Sequence, residues 1–236
     1  MEFHRFVTMP LMKLTIDHLV IAAADLASGT EYVAGLLGIT PQGGGAHPRM
    51  GTHNRVLGMA DGVYLEVIAI DPDAPAPERP RWFGLDQGDV RARLEQGPFL
   101  AHWAARVEAP LDLTRMQAEH PDRLPPAIAM TRGDLRWRLT VPEDGSLPAW
   151  REAGYEAGEG LLPTLIQWDV ENPPGATLPR QPLRLLRLTG CHPRASLLRQ
   201  GLAWMGADSL IDVEQADGPP RLRAQIETPS GVKVLA

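Results

Sequence analysis

The chain has 236 residues, of which 44% are hydrophobic and 22% charged, and its net charge is −6. This composition is typical of a globular protein with a sizeable core and excludes disordered and fibrous classes. The acidic balance provides no basic stripe, so it argues against a nucleic acid or an acidic membrane as partner and favours a small molecule.

The N-terminal residues predict neither a signal peptide nor a membrane anchor, because Asp17, His18 and Asp25 interrupt the apolar run there. Met9 and Met12 are alternative translation starts. The only cysteine, Cys191, excludes an internal disulfide framework and favours a reducing compartment. We therefore expect a cytoplasmic protein that binds neither membrane nor nucleic acid.

The first elements form a recognisable series. TIDHLVIAAAD, residues 15–25, predicts a strand, and residues 26–38 predict a helix that Ser28 caps and Gly38 ends. A glycine-rich stretch then predicts two short strands, and VYLEVIAID predicts a strong strand that ends at Asp71. The order is βαβββ.

The same order returns after a proline-rich connector that includes a short helix near residues 86–96. FLAHWAARVE predicts a strand, DLTRMQAEH a helix, PAIAMTRGDLRWRLTVPED a hairpin turned at Gly133–Asp134, and LLPTLIQWDV a final strand. A third series follows Pro182, with a strand, an amphipathic helix and further strands. The sequence therefore predicts internal structural repeats.

One polar group stands in the middle of the first and last strand of each repeat. Strand alternation places His18 and Glu66 in the first repeat, and His102 and Gln167 in the second, on single faces of their strands. If the two repeats curl towards each other, these four side chains converge. Two imidazoles, a carboxylate and an amide oxygen suit a divalent ion such as zinc, nickel, cobalt, manganese or iron.

The segments DHLVIAAADL, GTHNRVLGM, YLEVIAID, RWFGLD and LIQWD, in this order, resemble the glyoxalase-like members of the vicinal oxygen chelate superfamily. The resemblance covers residues 14–170 and implies paired βαβββ modules with a metal held by the first and last strand of each. This maps the ligands onto His18, Glu66, His102 and Gln167. Gln167 stands where such glyoxalases usually carry a second glutamate, so base chemistry falls to Glu66. Many such relatives lack the metal, and an empty site is the alternative.

These observations together predict an α+β fold in which paired βαβββ modules form a cup-shaped mixed sheet. The glyoxalase-like domain is expected at residues 14–175, with modules at 14–72 and 98–171. Residues 182–236 are expected to add a partial βαββ module, whose role is structural or at an interface.

Other polar residues have two interpretations each. His53 and Asn54 either fix a turn or contact substrate. Arg106 lies on the predicted face of His102, where it either binds a substrate carboxylate or phosphate or pairs with an acid at the rim. His18 itself is either a metal ligand or a hydrogen-bonded core histidine.

The sequence thus predicts a metal-dependent lyase or isomerase that chelates two neighbouring oxygens of a small substrate and stabilises an enolate, with Glu66 as the proton shuttle. One alternative is a metal-free binding protein of the drug-sequestering kind. Another is an iron dioxygenase of the extradiol type, since two histidines and a carboxylate also make a facial triad. A homodimer is a further possibility.

Overall fold

The structure, a computed structural model, describes residues 14–236, and the alternative starts at Met9 and Met12 lie outside this range. The first module has the predicted βαβββ order. Its elements are β1 (Thr15–Ala22), α1 (Leu26–Leu37), β2 (Gln42–His47), β3 (Thr52–Gly58) and β4 (Tyr64–Ile70).

The ends of α1 follow from local chemistry. The Asp25 carboxylate accepts a hydrogen bond from the backbone N–H of Ser28 at 2.8 Å, so Asp25 is the N-cap. The predicted cap at Ser28 is wrong, because Ser28 already lies inside the helix. Gly38 ends the helix with φ of 76°, a left-handed conformation that glycine adopts without strain.

The second module repeats this order and contains one insertion. A hairpin that the sequence did not predict lies between its third and last strands. After α2 (Gly88–Leu94) in the connector, the elements are β5 (Phe99–Arg106), α3 (Leu113–Glu119), β6 (Ala127–Arg132), β7 (Leu135–Thr140), the inserted β8 (Trp150–Glu152) and β9 (Tyr155–Ala157), and β10 (Thr164–Trp168).

The two modules share one mixed sheet of eight strands in the order β2-β3-β4-β1-β5-β10-β7-β6. In each module the first strand pairs in parallel with the last, and the antiparallel pair of β1 and β5 joins the modules. The sheet curls into a nearly closed cup, which confirms the predicted fold class.

The C-terminal segment forms a second sheet, in the order β12-β11-β13-β14. It has one strand more than the predicted βαββ series. Its first strand, β11, pairs with β12 on one side and β13 on the other, so it does not pair with the last strand, β14. In the two modules, by contrast, the first strand pairs with the last. The elements are α4 (Pro174–Thr177), β11 (Arg184–His192), α5 (Ala195–Met205), β12 (Asp212–Gln215), β13 (Arg221–Thr228) and β14 (Gly231–Leu235).

Two apolar clusters cover the two faces of the large sheet. Along β1, Val20 and Ala22 belong to the cluster inside the cup, and Leu19 and Ile21 belong to the cluster outside it, as strand alternation requires. The outer cluster also contains the buried leucines of β11, α5 and β13. The C-terminal sheet therefore covers the outside of the cup and leaves its inside for a pocket. Between residues 14 and 236, no helix is both long and apolar enough to span a membrane.

Candidate functional site

The inside of the cup contains a pocket with an empty volume of about 380 Å³, open solvent included. Its walls combine aromatic rings with a few charged and polar groups. The lining residues are His18, His47, Asn54, Tyr64, Glu66, Trp82, Phe83, Arg132, Trp137, Leu139, Ile166 and Trp168.

His18 reaches this pocket from β1 together with the residue before it. The pairing of β1 with β5 shifts register between Ile16 and His18, so Asp17 has no partner on β5. Such a bulge turns a side chain away from its regular direction. The Asp17 Oδ1 consequently lies 2.7 Å from the Nδ1 of His18, although neighbouring residues of a regular strand point to opposite faces.

Asp17 is fully buried and is held by two further donors. Its Oδ2 accepts hydrogen bonds from Arg106 Nε at 2.6 Å and from Trp168 Nε1 at 2.9 Å. Burial alone would raise the pKa of Asp17, but the hydrogen bond and charge of His18 and the charge of Arg106 outweigh it and lower the pKa. Asp17 is therefore a carboxylate that accepts the Nδ1–H of His18 and leaves the Nε2 of His18 free.

Glu66 approaches the other side of the His18 ring. Its Oε2 lies 3.5 Å from His18 Nε2, and its Oε1 accepts a hydrogen bond of 2.5 Å from the Asn54 amide. Burial would lower the pKa of His18, yet the hydrogen bond and charge of Asp17 and the charge of Glu66 raise it above 6.5. A histidine of raised pKa and a carboxyl group thus stand side by side in the wall of the pocket, and such a pair can serve in acid–base catalysis.

His102 and Gln167 make other contacts. The Nδ1 of His102 lies 3.2 Å from the Gly160 carbonyl oxygen, and its Nε2 accepts the backbone N–H of Thr164 at 3.1 Å. Burial lowers the pKa of His102 to about 3, so the ring is neutral. Gln167 lies on the outer face of β10, where its Oε1 accepts from the backbone N–H of Leu113 and its Nε2 donates to the Leu111 carbonyl oxygen. Neither residue lines the pocket.

The strand register identifies a different equivalent of Glu66 in the second module. Glu66 pairs with Val20, two residues after His18, and Thr164 pairs with Ala104, two residues after His102. Thr164 therefore occupies the position that Glu66 has in the first module. The contact of His102 Nε2 with Thr164 Oγ1 at 2.9 Å is the second-module counterpart of the pair of His18 and Glu66.

The donor set does not fit a resident divalent metal. His18 and Glu66 are the two predicted ligands that meet, while both nitrogens of His102 and both polar atoms of Gln167 are already hydrogen-bonded within the protein. Across residues 14–236 no cluster of three or more His, Cys, Asp or Glu side chains could hold a metal ion. A site with two protein ligands falls short of the three or four that bound metals take.

The remaining predicted residues divide between the pocket and its support. Asn54 lines the pocket and holds Glu66. Arg106 is occupied by its ion pair with Asp17, the second of its two predicted interpretations. His53 lies outside the pocket, with its Nδ1 at 3.8 Å from Asp71.

Sequence reasoning missed Arg132 and His47, which complete the polar wall. The Nη1 of Arg132 lies 3.0 Å from both His47 Nε2 and Asn54 Oδ1. Burial lowers the pKa of His47 to about 4, so this ring is neutral and its Nε2 accepts from the guanidinium. Both residues lie in turn-rich segments whose sequence predicts solvent exposure. They come together because the cup closes and brings β2 next to β6.

Comparison with known protein families identifies the family of this chain. The family model described as a glyoxalase-like domain matches residues 16–206. The chain therefore belongs to the glyoxalase-like domain family, and the predicted membership of the vicinal oxygen chelate superfamily is confirmed. No curated protein matches the sequence.

Two solved structures are similar to this chain at low sequence identity. A hypothetical protein from Staphylococcus aureus is 15% identical, with a TM-score of 0.56 over 94% of this chain and 84% of that one. A methylmalonyl-CoA epimerase from Mycobacterium tuberculosis is also 15% identical, with a TM-score of 0.40 over 70% of this chain and 92% of that one. The likeness to the Staphylococcus aureus protein concerns the fold alone.

Proposed function

We propose that this protein is an isomerase or lyase that moves a proton on a small carbonyl compound, with His18 and Glu66 as the acid–base pair. The observation that carries the proposal is the chain of contacts from Asp17 through His18 to Glu66 at the pocket wall. A buried carboxylate that orients an imidazole and raises its pKa is an arrangement that positions a proton for transfer.

Each residue of the pair has a defined part in the proposed step. The Glu66 carboxylate takes a proton from the carbon next to the substrate carbonyl, and the imidazolium of His18 donates its Nε2 proton to the carbonyl oxygen. The product of this step is a neutral enol. The reverse transfer returns a proton to a carbon and completes an isomerisation, so the reaction needs no redox partner.

The protein around the pair supports this chemistry. Asp17 is a positioning residue, because it acts on the substrate only through His18. Asn54 fixes one oxygen of Glu66 and leaves the other towards His18. The aromatic walls of the pocket limit the access of water, which strengthens charge interactions at the reacting atoms.

A second candidate is a binding protein that holds its ligand without reaction. The aromatic lining favours it, since Tyr64, Trp82, Phe83, Trp137 and Trp168 all line the pocket, and aromatic side chains are typical of the walls of small-molecule sites. In that case the pair of His18 and Glu66 only hydrogen-bonds the ligand.

Exchange of carbon-bound hydrogen with solvent separates the two candidates. The protein is incubated in D₂O with 2-oxobutanoate, 4-methyl-2-oxopentanoate, phenylpyruvate and their methyl esters, and loss of the hydrogens next to the carbonyl is followed by proton NMR. We expect catalysed exchange that Glu66→Gln and His18→Gln each reduce by about 100-fold or more. A chelator should leave the rate unchanged.

The matched control is Arg55→Gln. Arg55 lies on the same strand as Asn54, but its guanidinium donates to the Gly43 carbonyl oxygen outside the pocket. This variant should exchange at the wild-type rate. Binding without exchange would favour the second candidate, and exchange that a chelator abolishes would contradict the metal-free chemistry.

We propose a cytoplasmic location as well, which the single, buried Cys191 supports. Homodimer formation stays a prediction from the sequence. Sedimentation or size-exclusion measurements at several protein concentrations would test it.

A further inference from the structure

The wall of the pocket also contains two donor side chains, Arg132 and Trp82, that the proposed proton transfer does not use. Arg132 lines the pocket, and within residues 14–236 its hydrogen bonds go to His47 and Asn54 through Nη1 alone. Both of these partners are neutral. The guanidinium therefore keeps its positive charge uncompensated by any ion pair in the described part of the chain, and its Nη2 and Nε donors stay available.

The second donor is the indole N–H of Trp82. Trp82 lines the same pocket and is 3% exposed, and its buried Nε1 has no hydrogen-bond partner among the described residues. A buried donor without a partner costs free energy, so a ligand atom that accepts a hydrogen bond there is favoured. His47 contacts both groups, since its ring lies 5.0 Å from the Trp82 ring and its Nε2 3.0 Å from Arg132.

We infer that Arg132 and Trp82 form a carboxylate-binding subsite, so that the small molecule taken by this pocket is an oxo acid. The part that concerns the reacting carbonyl end of the substrate rests on the proposed function. The part that concerns the carboxylate end rests on Arg132 and Trp82. Arg132 binds the carboxylate through its free donors, and the Trp82 indole donates to one of the same oxygens.

The connection through Asn54 sets the size of the ligand. The amide of Asn54 accepts from Arg132 through Oδ1 and donates to Glu66 through Nδ2, so one amide group separates the cation from the base. The carboxylate and the reacting carbon of the substrate must therefore lie only a few bonds apart. A 2-oxo acid has this spacing, and its side chain would pack against the aromatic walls.

Charge favours a carboxylate over a phosphate. One guanidinium balances a monoanion, whereas a dianion would also meet the negative charge of Glu66 in the same pocket.

The chain makes room for the Arg132 guanidinium at Gly45, where a Cβ atom would lie 3.2 Å from the Cδ of Arg132. A side chain at this position would displace the guanidinium from the pocket.

Binding of matched acids and esters tests the subsite without any catalysis. Titration calorimetry and quenching of the pocket tryptophans compare acetate, benzoate, 2-oxobutanoate and phenylpyruvate with their methyl esters and with inorganic phosphate. We expect at least one acid to bind about 10- to 100-fold more tightly than its ester, because charge-assisted hydrogen bonds are the strong ones. Arg132→Gln should remove this preference and leave ester binding unchanged.

Three further variants make the result specific. Trp82→Phe keeps the ring and removes the N–H, and should weaken the acid severalfold with no effect on the ester. Arg132→Lys should retain part of the preference, which shows that Arg132→Gln acts through lost charge and not through misfolding. Arg55→Gln should bind acids and esters like the wild type.

Failure of this inference differs from failure of the proposed function. His18→Gln should abolish exchange yet keep the acid preference, because Arg132 is hydrogen-bonded to His47 and Asn54 and not to His18. A preference for acids without any catalysed exchange would sustain the subsite and contradict the enzyme. Equal binding of acids and esters, tighter binding of phosphate than of every acid, no binding of any acid, or a preference that survives Arg132→Gln would each overturn the subsite.

Discussion

Asp17 is the residue on which the geometry of the candidate site depends most. It is fully buried, and its two oxygens accept from His18, Arg106 and Trp168. A buried charge is stable only when it is paired in this way. The same contacts that satisfy Asp17 also set the tautomer of His18, so stability and chemistry are linked at this position.

Asp17→Asn should destabilise the protein by about 3 kcal/mol, because it leaves the partly buried guanidinium of Arg106 without a countercharge. Urea unfolding at neutral pH measures the change. Asp169→Asn is the matched control, since Asp169 pairs with Arg138 near the surface and such pairs contribute less than about 1 kcal/mol. Equal losses in the two variants would show that the Asp17 network is not a buried ion pair.

His102 should make stability depend on pH. Burial lowers its pKa to about 3 in the folded protein, against 6.5 for the free side chain. The neutral ring stabilises the fold above pH 6.5, and this stabilisation is lost as the pH falls towards 3, at about 1.4 kcal/mol per pH unit. His102→Gln should be less stable at neutral pH but lose less on acidification. Unfolding curves of equal pH slope for both proteins would contradict the buried neutral histidine.

Strand alternation predicted some residues of the site and could not predict others. Glu66 and His18 lie on the inner face as expected, because β4 and the middle of β1 are regular there. Asp17 was not predicted, because alternation assigns it to the face opposite His18, whereas a bulge turns it towards His18. Gln167 belongs to the outer face of β10, and the sequence alone does not show which of the two alternating faces is the inner one.

At the scale of single elements, α1 shows how closely the helix lies on the sheet. Gly29 is a buried residue of α1, and a Cβ atom there would clash with Val67 Cγ1 and lie 2.7 Å from the Ala23 Cβ. On the exposed side of the same helix, Gly35 has no atom within 4 Å of such a Cβ. The first glycine therefore has a packing role, and the second has none.

Alanine at these two positions should have opposite effects. Gly29→Ala should destabilise the protein by about 1–3 kcal/mol through overpacking against Val67. Gly35→Ala should stabilise it by about 0.5–1 kcal/mol, because alanine has the higher helix propensity. The free energies of unfolding in urea decide the point, and a stabilising Gly29→Ala would contradict the close packing of α1 on β4.

The elements themselves were well predicted where periodicity was strong. The order of both modules, the hairpin turn at Gly133–Asp134 and the stop at Gly38 are present in the structure. The hairpin of β8 and β9 was missed because each strand has three residues, too few for a periodic pattern. The pairing order of the C-terminal sheet depends on long-range contacts that local sequence does not encode.

At the scale of the whole molecule, the outside of the cup and the C-terminal sheet share one apolar cluster. Leu65 and Trp103 of the cup belong to it together with Leu188, Leu198 and Leu222 of the C-terminal segment. The division into domains at 14–175 and 182–236 stays a prediction. Because the two parts share this cluster, we expect them to unfold together.

Calorimetry should show a single cooperative transition for the full chain, because neither part can open without exposing the shared cluster. Leu222→Ala should lower the stability by about 2–4 kcal/mol and shift that one transition as a whole. Two resolved transitions, with one of them unaffected by Leu222→Ala, would show instead that the cup and the C-terminal sheet unfold independently.

His18 and Glu66 are paired at the pocket wall, with 3.5 Å between Nε2 and Oε2, and NMR of ¹⁵N-labelled histidine tests this electrostatic coupling most directly. The pH titration of His18 should give a pKa above 6.5 in the wild type, with Nδ1 protonated towards Asp17 throughout. Glu66→Gln should lower this pKa, since it removes one of the charges that raise it. A wild-type pKa below 6.5, or one that Glu66→Gln leaves unchanged, would contradict the account.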